Sequence, residues 1–333
     1  MSTPVLIHGD CMAEMARLGD NSLHAVCSDP PYGLVEFSPG EVGKLRAGHG
    51  GLWRIPPSMD GCERRPLPRF SVLTPEQKKS IETYFFQWGT VLWPKLRPGG
   101  HVLLAGNPML QLYVQAALIE AGFENRSTIM RVYHGFRGGD RPKNAEKEFP
   151  GVCVQPRSNY EPWMLFRKPI AENTVAENLR RWETGGLRML AGGKPLPDVI
   201  LSFKTPENER AIADHPSLKP QHLLRILVRS LLPLGTGMVL DPFMGSGSTL
   251  AAALAVGYDS VGIELDAAYF ELAQTAVPRL GALYPGVKGE FLDDNTAASG
   301  EKIREEQSLI WDELKAEANL TTSDTSVLQA GLD

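Results

Sequence analysis

Asp29-Pro30-Pro31-Tyr32 packs a carboxylate, two fixed backbone carbonyls and an aromatic ring into four residues. The apolar run His24-Ala25-Val26 before it reads as a strand ending at Ser28. Each proline then fixes its own φ and biases its predecessor towards extended geometry, so the chain leaves the strand as a rigid spur. Such a spur suits the holding of a flat aromatic amine. The carboxylate and a carbonyl accept its two N–H bonds while the ring stacks on its face. The plain alternative is a surface turn, since Asp and Pro are common turn residues.

A second chemical centre lies far along the chain. Met238-Val239-Leu240-Asp241 reads as a central strand and runs into Pro242-Phe243-Met244-Gly245-Ser246-Gly247-Ser248-Thr249. A helix over Leu250–Val256 stops at Gly257, and a strand over Ser260–Ile263 ends in Glu264. Small residues here let a ligand approach backbone N–H groups at a helix N-terminus. Glu264, seventeen residues past Gly247, stands where an acid grips ribose hydroxyls. The third glycine of the dinucleotide fingerprint is missing, with Leu250 in its place, which counts against a pyrophosphate-bearing ligand but not a smaller nucleoside. No G-x-x-x-x-G-K-[ST] loop occurs, so nucleoside triphosphate hydrolysis is disfavoured.

The elements that position these centres alternate between strand and helix, the α/β signature. Pro4–His8 reads as a buried strand ending in Gly9-Asp10-Cys11, followed by a short amphipathic helix and then the strand before Asp29. Thr74-Pro75-Glu76-Gln77 opens a helix with an N-cap and a proline in its first turn, expected to run to about Leu96. Strands are expected over His101–Ala105, Ser127–Tyr133 and Trp163–Phe166, with helices over Pro108–Glu120 and Thr174–Trp182. Residues 34–72 break the pattern. They are rich in Gly and Pro, and Lys44, Arg46, Arg54, Arg64, Arg65 and Arg69 outnumber the acids around them. A loop so long is usually functional or disordered. Arg137, Arg141, Lys143 and Lys147 give 134–151 a similar basic bias.

The chain has 333 residues, enough for a large buried core, and ordinary apolar content. No apolar run approaches a membrane span, and the N-terminus lacks a signal pattern. Cys11, Cys27, Cys62 and Cys153 are scattered, with no metal-ligand spacing, so we expect reduced thiols, no metal and a cytoplasmic location. The net charge of −5 is misleading as to partners. Residues 290–333 hold eleven acidic and three basic side chains, leaving 31 basic against 28 acidic elsewhere. An acidic tail does not oppose a basic groove at another place.

With both centres in view, the sequence resembles the amino-group DNA methyltransferases that use S-adenosylmethionine, in their permuted β arrangement. The resemblance rests on motif order: Asp29–Tyr32, a polar insert, His215-Pro216-Ser217-Leu218-Lys219-Pro220, then Asp241–Thr249. The family's acid after the next strand matches Glu264, and its upstream Gly-Asp-Cys, whose Asp faces the cofactor's adenine, matches Gly9-Asp10-Cys11. Trp182–Leu187 is also similar to a segment many of these enzymes carry. The likeness spans residues 4–280 and leaves out the 34–72 loop and the acidic tail.

The resemblance implies a Rossmann-like fold with a seven-stranded, mostly parallel sheet and helices on both faces. The Asp29 and Asp241 strands would lie side by side. It implies a catalytic domain over 1–169 and 215–290, with 170–214 as a small target-recognition insert. Outside the likeness, the composition reads 34–72 as a flap-like insertion and 291–333 as an acidic helix and a disordered tail. Asp29, Pro30, Pro31 and Tyr32 would be catalytic. Asp10, Lys219, Asp241, Pro242, Phe243, Gly245, Ser246, Gly247, Ser248 and Glu264 would bind S-adenosylmethionine, with Lys219 facing the methionine carboxylate. The acceptor would be the N6 amine of an adenine flipped from double-stranded DNA; the alternative is cytosine N4. An RNA adenine enzyme or a DNA-binding module without catalysis stands further off. A homodimer and a cognate restriction endonuclease are the further partners the resemblance leaves open.

Overall fold

The computed structural model describes residues 4–31, 74–133, 147–154, 158–215 and 217–290, with a few isolated positions beside them. Tyr32, the 34–72 loop, most of the basic 134–147 segment and the tail from 291 lie outside the described residues.

Among the described residues eight strands form one sheet: β1 (Pro4–His8), β2 (Leu23–Ser28), β3 (Leu96–Ala105), β4 (Glu124–Val132), β5 (Tyr160–Arg167), β6 (Val199–Leu201), β7 (Met238–Asp241) and β8 (Asp259–Glu264). Their spatial order is β1-β8-β7-β2-β3-β5-β4-β6. Seven run parallel; β5 alone is antiparallel, to both β3 and β4. The mostly parallel α/β sheet expected from sequence is present, with eight strands where seven were expected. The additional one, β6, has three residues and lies within the stretch read as an insert. A strand that short carries too little periodicity to stand out in the sequence.

β2 is buried at every position, as a central parallel strand covered on both faces must be. On one face, α1 (Cys11–Arg17), α2 (Pro75–Leu92) and α3 (Gln111–Glu120) enclose the main core. Met15, Ile81, Phe85, Trp88, Leu92 and Leu118 meet Val26, Val102, Leu104 and Leu240 there. Ile81, Phe85, Trp88 and Leu92 recur at helical spacing, so one stripe of α2 is buried. The opposite face carries α6 (Gln221–Leu231), α7 (Ser248–Val256) and α8 (Ala267–Ala282). Ala251 packs there on Ala276 and Leu280, and Leu250 on Ala273 and Val277.

Caps fix where these helices begin. The Thr74 hydroxyl accepts from Gln77 N (3.3 Å) and the Gln77 side chain from Thr74 N (2.9 Å), a closed capping box. α2 ends at Leu92, four residues before the expected stop, because Pro94 has no N–H for a further helical bond and Leu96 already pairs with Leu23. β3 accordingly starts at Leu96 rather than His101, with Pro98–Gly100 taken up as an irregularity in its register against β2. α3 starts at Gln111 rather than Pro108, since the Asn107 side chain accepts from Met109 N (2.8 Å) and holds a turn there.

The segment after β5 holds α4 (Val175–Trp182) and, after β6, the single turn α5 (Glu207–Arg210). α4 belongs to the start of β3. Asn178 Nδ2 and Thr184 Oγ1 both donate to Pro98 O (2.9 and 2.6 Å), and Arg97 Nη1 pairs with Glu183 Oε2 at 2.6 Å. Residues 174–187 therefore sit at the rim opposite Asp29. No helix among the described residues is long and apolar enough to cross a membrane.

Candidate active site

The C-terminal ends of the parallel strands share one rim, where open α/β sheets bind ligands. β2 and β7 are direct neighbours, with Ala25 opposite Val239 and Val26 opposite Leu240. That register brings the two chemical centres together. Fully buried Ser28 donates from Oγ to Asp241 Oδ1 at 2.5 Å. Asp29 is the next residue, half-buried, followed by buried Pro30 and exposed Pro31.

Asp29 Oδ2 is ion-paired with Lys219 Nζ. The same ammonium lies 3.3 Å from Glu161 Oε1. Glu161 Oε2 accepts from Arg131 Nη1 (3.1 Å) and Trp163 Nε1 (3.0 Å). Arg131 also donates from Nε to Ser202 Oγ and from Nη2 to Phe203 O, both at 3.1 Å. Two cations and two anions thus form one chain of contacts with little water access. Isolated, each buried charge would cost several kcal/mol; paired and hydrogen-bonded, they offset one another. Burial pulls the Lys219 ammonium down, Asp29 and Glu161 push it up, and Arg131 opposes them; the carboxylates win, and Lys219 is held above the ordinary lysine range.

Asp241 is buried, and burial pushes its carboxyl up to about 6, with Asp29 adding to the rise. Hydrogen bonds from Ser28, Thr249 and the Phe243 N–H work against it. The following loop is folded tightly: Met244 N bonds Ile263 O (3.0 Å) and Gly247 N bonds Met244 O (2.7 Å). Gly245 and Gly247 both have positive φ, +52° and +83°. A Cβ on Gly245 would stand 2.9 Å from His215 Nε2, and one on Gly247 2.3 Å from Val277 Cγ2. Only glycine meets both demands. His215 thus packs on the glycine loop and meets Tyr269 edge-on at 4.4 Å. Phe243 is half-buried and stacks on Trp88 at 6.4 Å.

Glu264 accepts from Gly245 N through Oε2 (2.9 Å) and from Asp266 N through Oε1 (2.8 Å). It therefore ties the glycine loop to the start of α8. Asp10 lies at the end of β1, which pairs with β8 so that His8 faces Glu264. Its Oδ1 caps α1 by accepting from Ala13 N at 3.0 Å. Ser246 Oγ is buried with no hydrogen-bond partner among the described residues. An orphaned hydroxyl within a close-approach glycine loop that Asp241 precedes and Glu264 holds, with Asp10 at the end of neighbouring β1, fits a cationic ligand that carries a nucleoside.

The residues expected to act together do converge on one rim, Tyr32 excepted as lying outside the described residues. Pro242, Gly245, Ser246 and Gly247 lie in the buried turn between β7 and α7, and buried Ser248 opens α7. Lys219, expected to face the methionine carboxylate, is seated on Asp29 and Glu161, two carboxylates that a buried ammonium needs within reach. Ser28, Glu161 and Arg131 escaped the sequence reading. The signal for Glu161 was a lone acid two residues before an apolar run, Trp163–Phe166, in a strand buried almost throughout.

The DNA methylase family of N6/N4 methyltransferases matches residues 23–275. The chain belongs to this family. Among curated relatives, it is 33% identical to the type II methyltransferase M2.LlaDCHI of Lactococcus lactis, over 84% of this chain and 91% of that one. It is 23% identical to M.HindIII of Haemophilus influenzae, over 83% and 94%. Among solved structures, the PvuII DNA methyltransferase, a cytosine-N4-specific enzyme, has a TM-score of 0.54 at 14% identity, covering 87% of this chain and 94% of that one. The M1.HpyAVI–SAM complex has a TM-score of 0.50 at 18% identity, covering 83% and 99%. The structural likenesses bear on fold. The methyltransferase uses S-adenosylmethionine, whose bound sulfonium supplies an electrophilic methyl group, and its acceptor is DNA.

Proposed function

We propose that the methyltransferase modifies the N6 amine of an adenine flipped out of double-stranded DNA, as an enzyme of the permuted β class working in the cytoplasm. The observation that carries the acceptor chemistry is the rigid placement of Asp29, one residue past the Ser28–Asp241 hydrogen bond. An exocyclic amine is a poor nucleophile because its lone pair is delocalised into the ring. Asp29 and the Pro30 carbonyl accept its two N–H bonds, which draws the nitrogen towards sp³ and localises the pair. Positioning and electrostatics supply the rate, with no covalent intermediate. After transfer the nitrogen sheds one proton, and Asp29 is the base already holding an N–H. The base must leave the duplex to reach this rim, and the Tyr32 ring replaces its lost stacking.

An aspartate at the first motif position is usual for adenine enzymes of this kind, and this chain has Asp29. For the cofactor, Glu264, Asp10 and the 242–248 turn are the binding residues. Target recognition belongs to the 170–214 insert, of which 202–214 follow β6 to the catalytic rim while 174–187 are tied to the far rim, and the basic 41–69 and 134–147 stretches grip phosphate. Those phosphate contacts make binding fall steeply with salt. The relatives are named type II methyltransferases, which supports a cognate endonuclease as a partner of this system.

DNA from cells expressing the chain, digested to nucleosides and analysed by mass spectrometry, tests the acceptor. N6-methyladenine is expected; N4-methylcytosine without it overturns the adenine assignment.

A further inference from the structure

We infer that Glu161 and Arg131 are positioning residues for methyl transfer, acting through Lys219 to fix the Asp29 carboxylate. This rests on the amino-methyltransferase reading and holds for either base.

The reversed strand β5 makes the contact possible. Running against its neighbours, it brings its start to the rim where they end, so Glu161 lies level with Arg131 of β4 and near the exit of β2. Glu161 then divides its oxygens, one to Lys219 and the other to Arg131 and Trp163. Arg131 is anchored in turn by Ser202 and the Phe203 carbonyl. Ser202 Oγ lies 3.1 Å from His222 Nε2, and the Phe203 ring stacks on His222 at 3.6 Å. The chain of contacts runs from the β6 exit and α6 to the acceptor carboxylate without a break.

Lys219 lies between Asp29 of β2, Glu161 of β5 and, on the opposing side, Arg131 of β4; Asp241 of β7 acts on Asp29 from its other flank. With Asp29 as its sole partner, a buried ammonium would lose its hold whenever the entering amine claimed that carboxylate. Glu161 is the second anion that keeps Lys219 charged and in place during that exchange. Arg131 keeps Glu161 from turning away.

The test uses the full chain, labelled S-adenosylmethionine and unmethylated plasmid DNA, reading label in DNA so that the identity of the base does not enter. Glu161→Gln should lower kcat roughly 10- to 100-fold, the scale of a small misplacement of a reacting group, with donor Kd within about twofold of wild type. Its kcat–pH profile should lose the alkaline side at lower pH, because Lys219 has lost one of two carboxylates. In a Lys219→Met background, Glu161→Gln should cost nothing more. A wild-type pH profile, or losses that multiply in the double variant, overturns the inference. If Glu161→Gln does not fold, Arg131→Lys keeps the charge and removes the fork. It should reduce kcat several-fold at unchanged donor Kd, and unchanged kcat overturns the inference equally.

Discussion

Ser28 and Asp241, 213 positions apart in the chain, share a 2.5 Å hydrogen bond where β2 and β7 end side by side. One hydroxyl thus joins the acceptor half of the site to the donor half. It also donates to a carboxyl that burial pushes up to about 6, so it favours the ionised form of Asp241. Ser28→Ala should therefore destabilise the fold more at pH 8 than at pH 5, by about 1.5–3 kcal/mol for a hydrogen bond to a charged group. Asp241→Asn tests the same balance from the other side. A carboxyl raised from its ordinary 3.8 to about 6 stabilises the fold at low pH and loses that contribution as pH rises through 6. The asparagine variant should gain on wild type by up to about 3 kcal/mol between pH 4 and pH 8. Denaturant titrations at the two pH values measure both effects.

Asp29→Ala should remove methyl transfer, at least about 100-fold, while donor affinity stays near wild type, because Asp29 meets the amine and not the cofactor. It also strips Lys219 of a partner in a water-poor site, for which about 3 kcal/mol of stability is expected to go. Single-turnover kinetics with calorimetry on one preparation separates the two. Wild-type turnover in Asp29→Ala would sink the mechanism.

The glycine loop makes a prediction about stability. At Gly247 an added methyl meets Val277 Cγ2 at 2.3 Å and the backbone has φ +83°. Gly247→Ala should cost about 2–4 kcal/mol, overpacking and left-handed strain together. Adding Val277→Ala opens the space but leaves the strain, so only part of the loss in Tm should return. Full recovery would show that φ carries no penalty there.

Glu264→Ala should weaken donor binding by about 1.5–3 kcal/mol, the scale of charge-assisted hydrogen bonds. Because Glu264 also holds Gly245 N and Asp266 N, the variant should unfold earlier even without cofactor. Calorimetry showing wild-type affinity would place Glu264 outside the site, leaving it as a loop tie alone.

The strands around Asp29 and Asp241 were legible because parallel strands buried on both faces read as continuous apolar runs, and each ends in a motif that chemistry constrains. Thr74 and Gln77 announced α2 by the same logic of local satisfaction. What the sequence hid was pairing at long range. Nothing local to Lys219 says that its partners are Asp29, 190 positions away, and Glu161 on a reversed strand. Arg131 and Ser28 read as ordinary strand residues until register sets them beside a carboxylate. Within the polar 170–214 stretch, Asn178 and Thr184 direct their hydrogen bonds to Pro98, an arrangement invisible without the turn they grip.

The order of the sheet also bears on how the chain is made. Among the described strands β1 pairs only with β8, so during synthesis it has no sheet neighbour until residues 259–264 emerge. At about 5–20 residues per second, that is a wait of roughly 10–50 s. β2 and β3 pair long before then, and β7 and β8 are slotted last between β2 and the waiting edge. The acceptor carboxylate thus emerges on the nascent protein before the donor's glycine turn exists, and the two halves of the site meet only once β7 and β8 have been made.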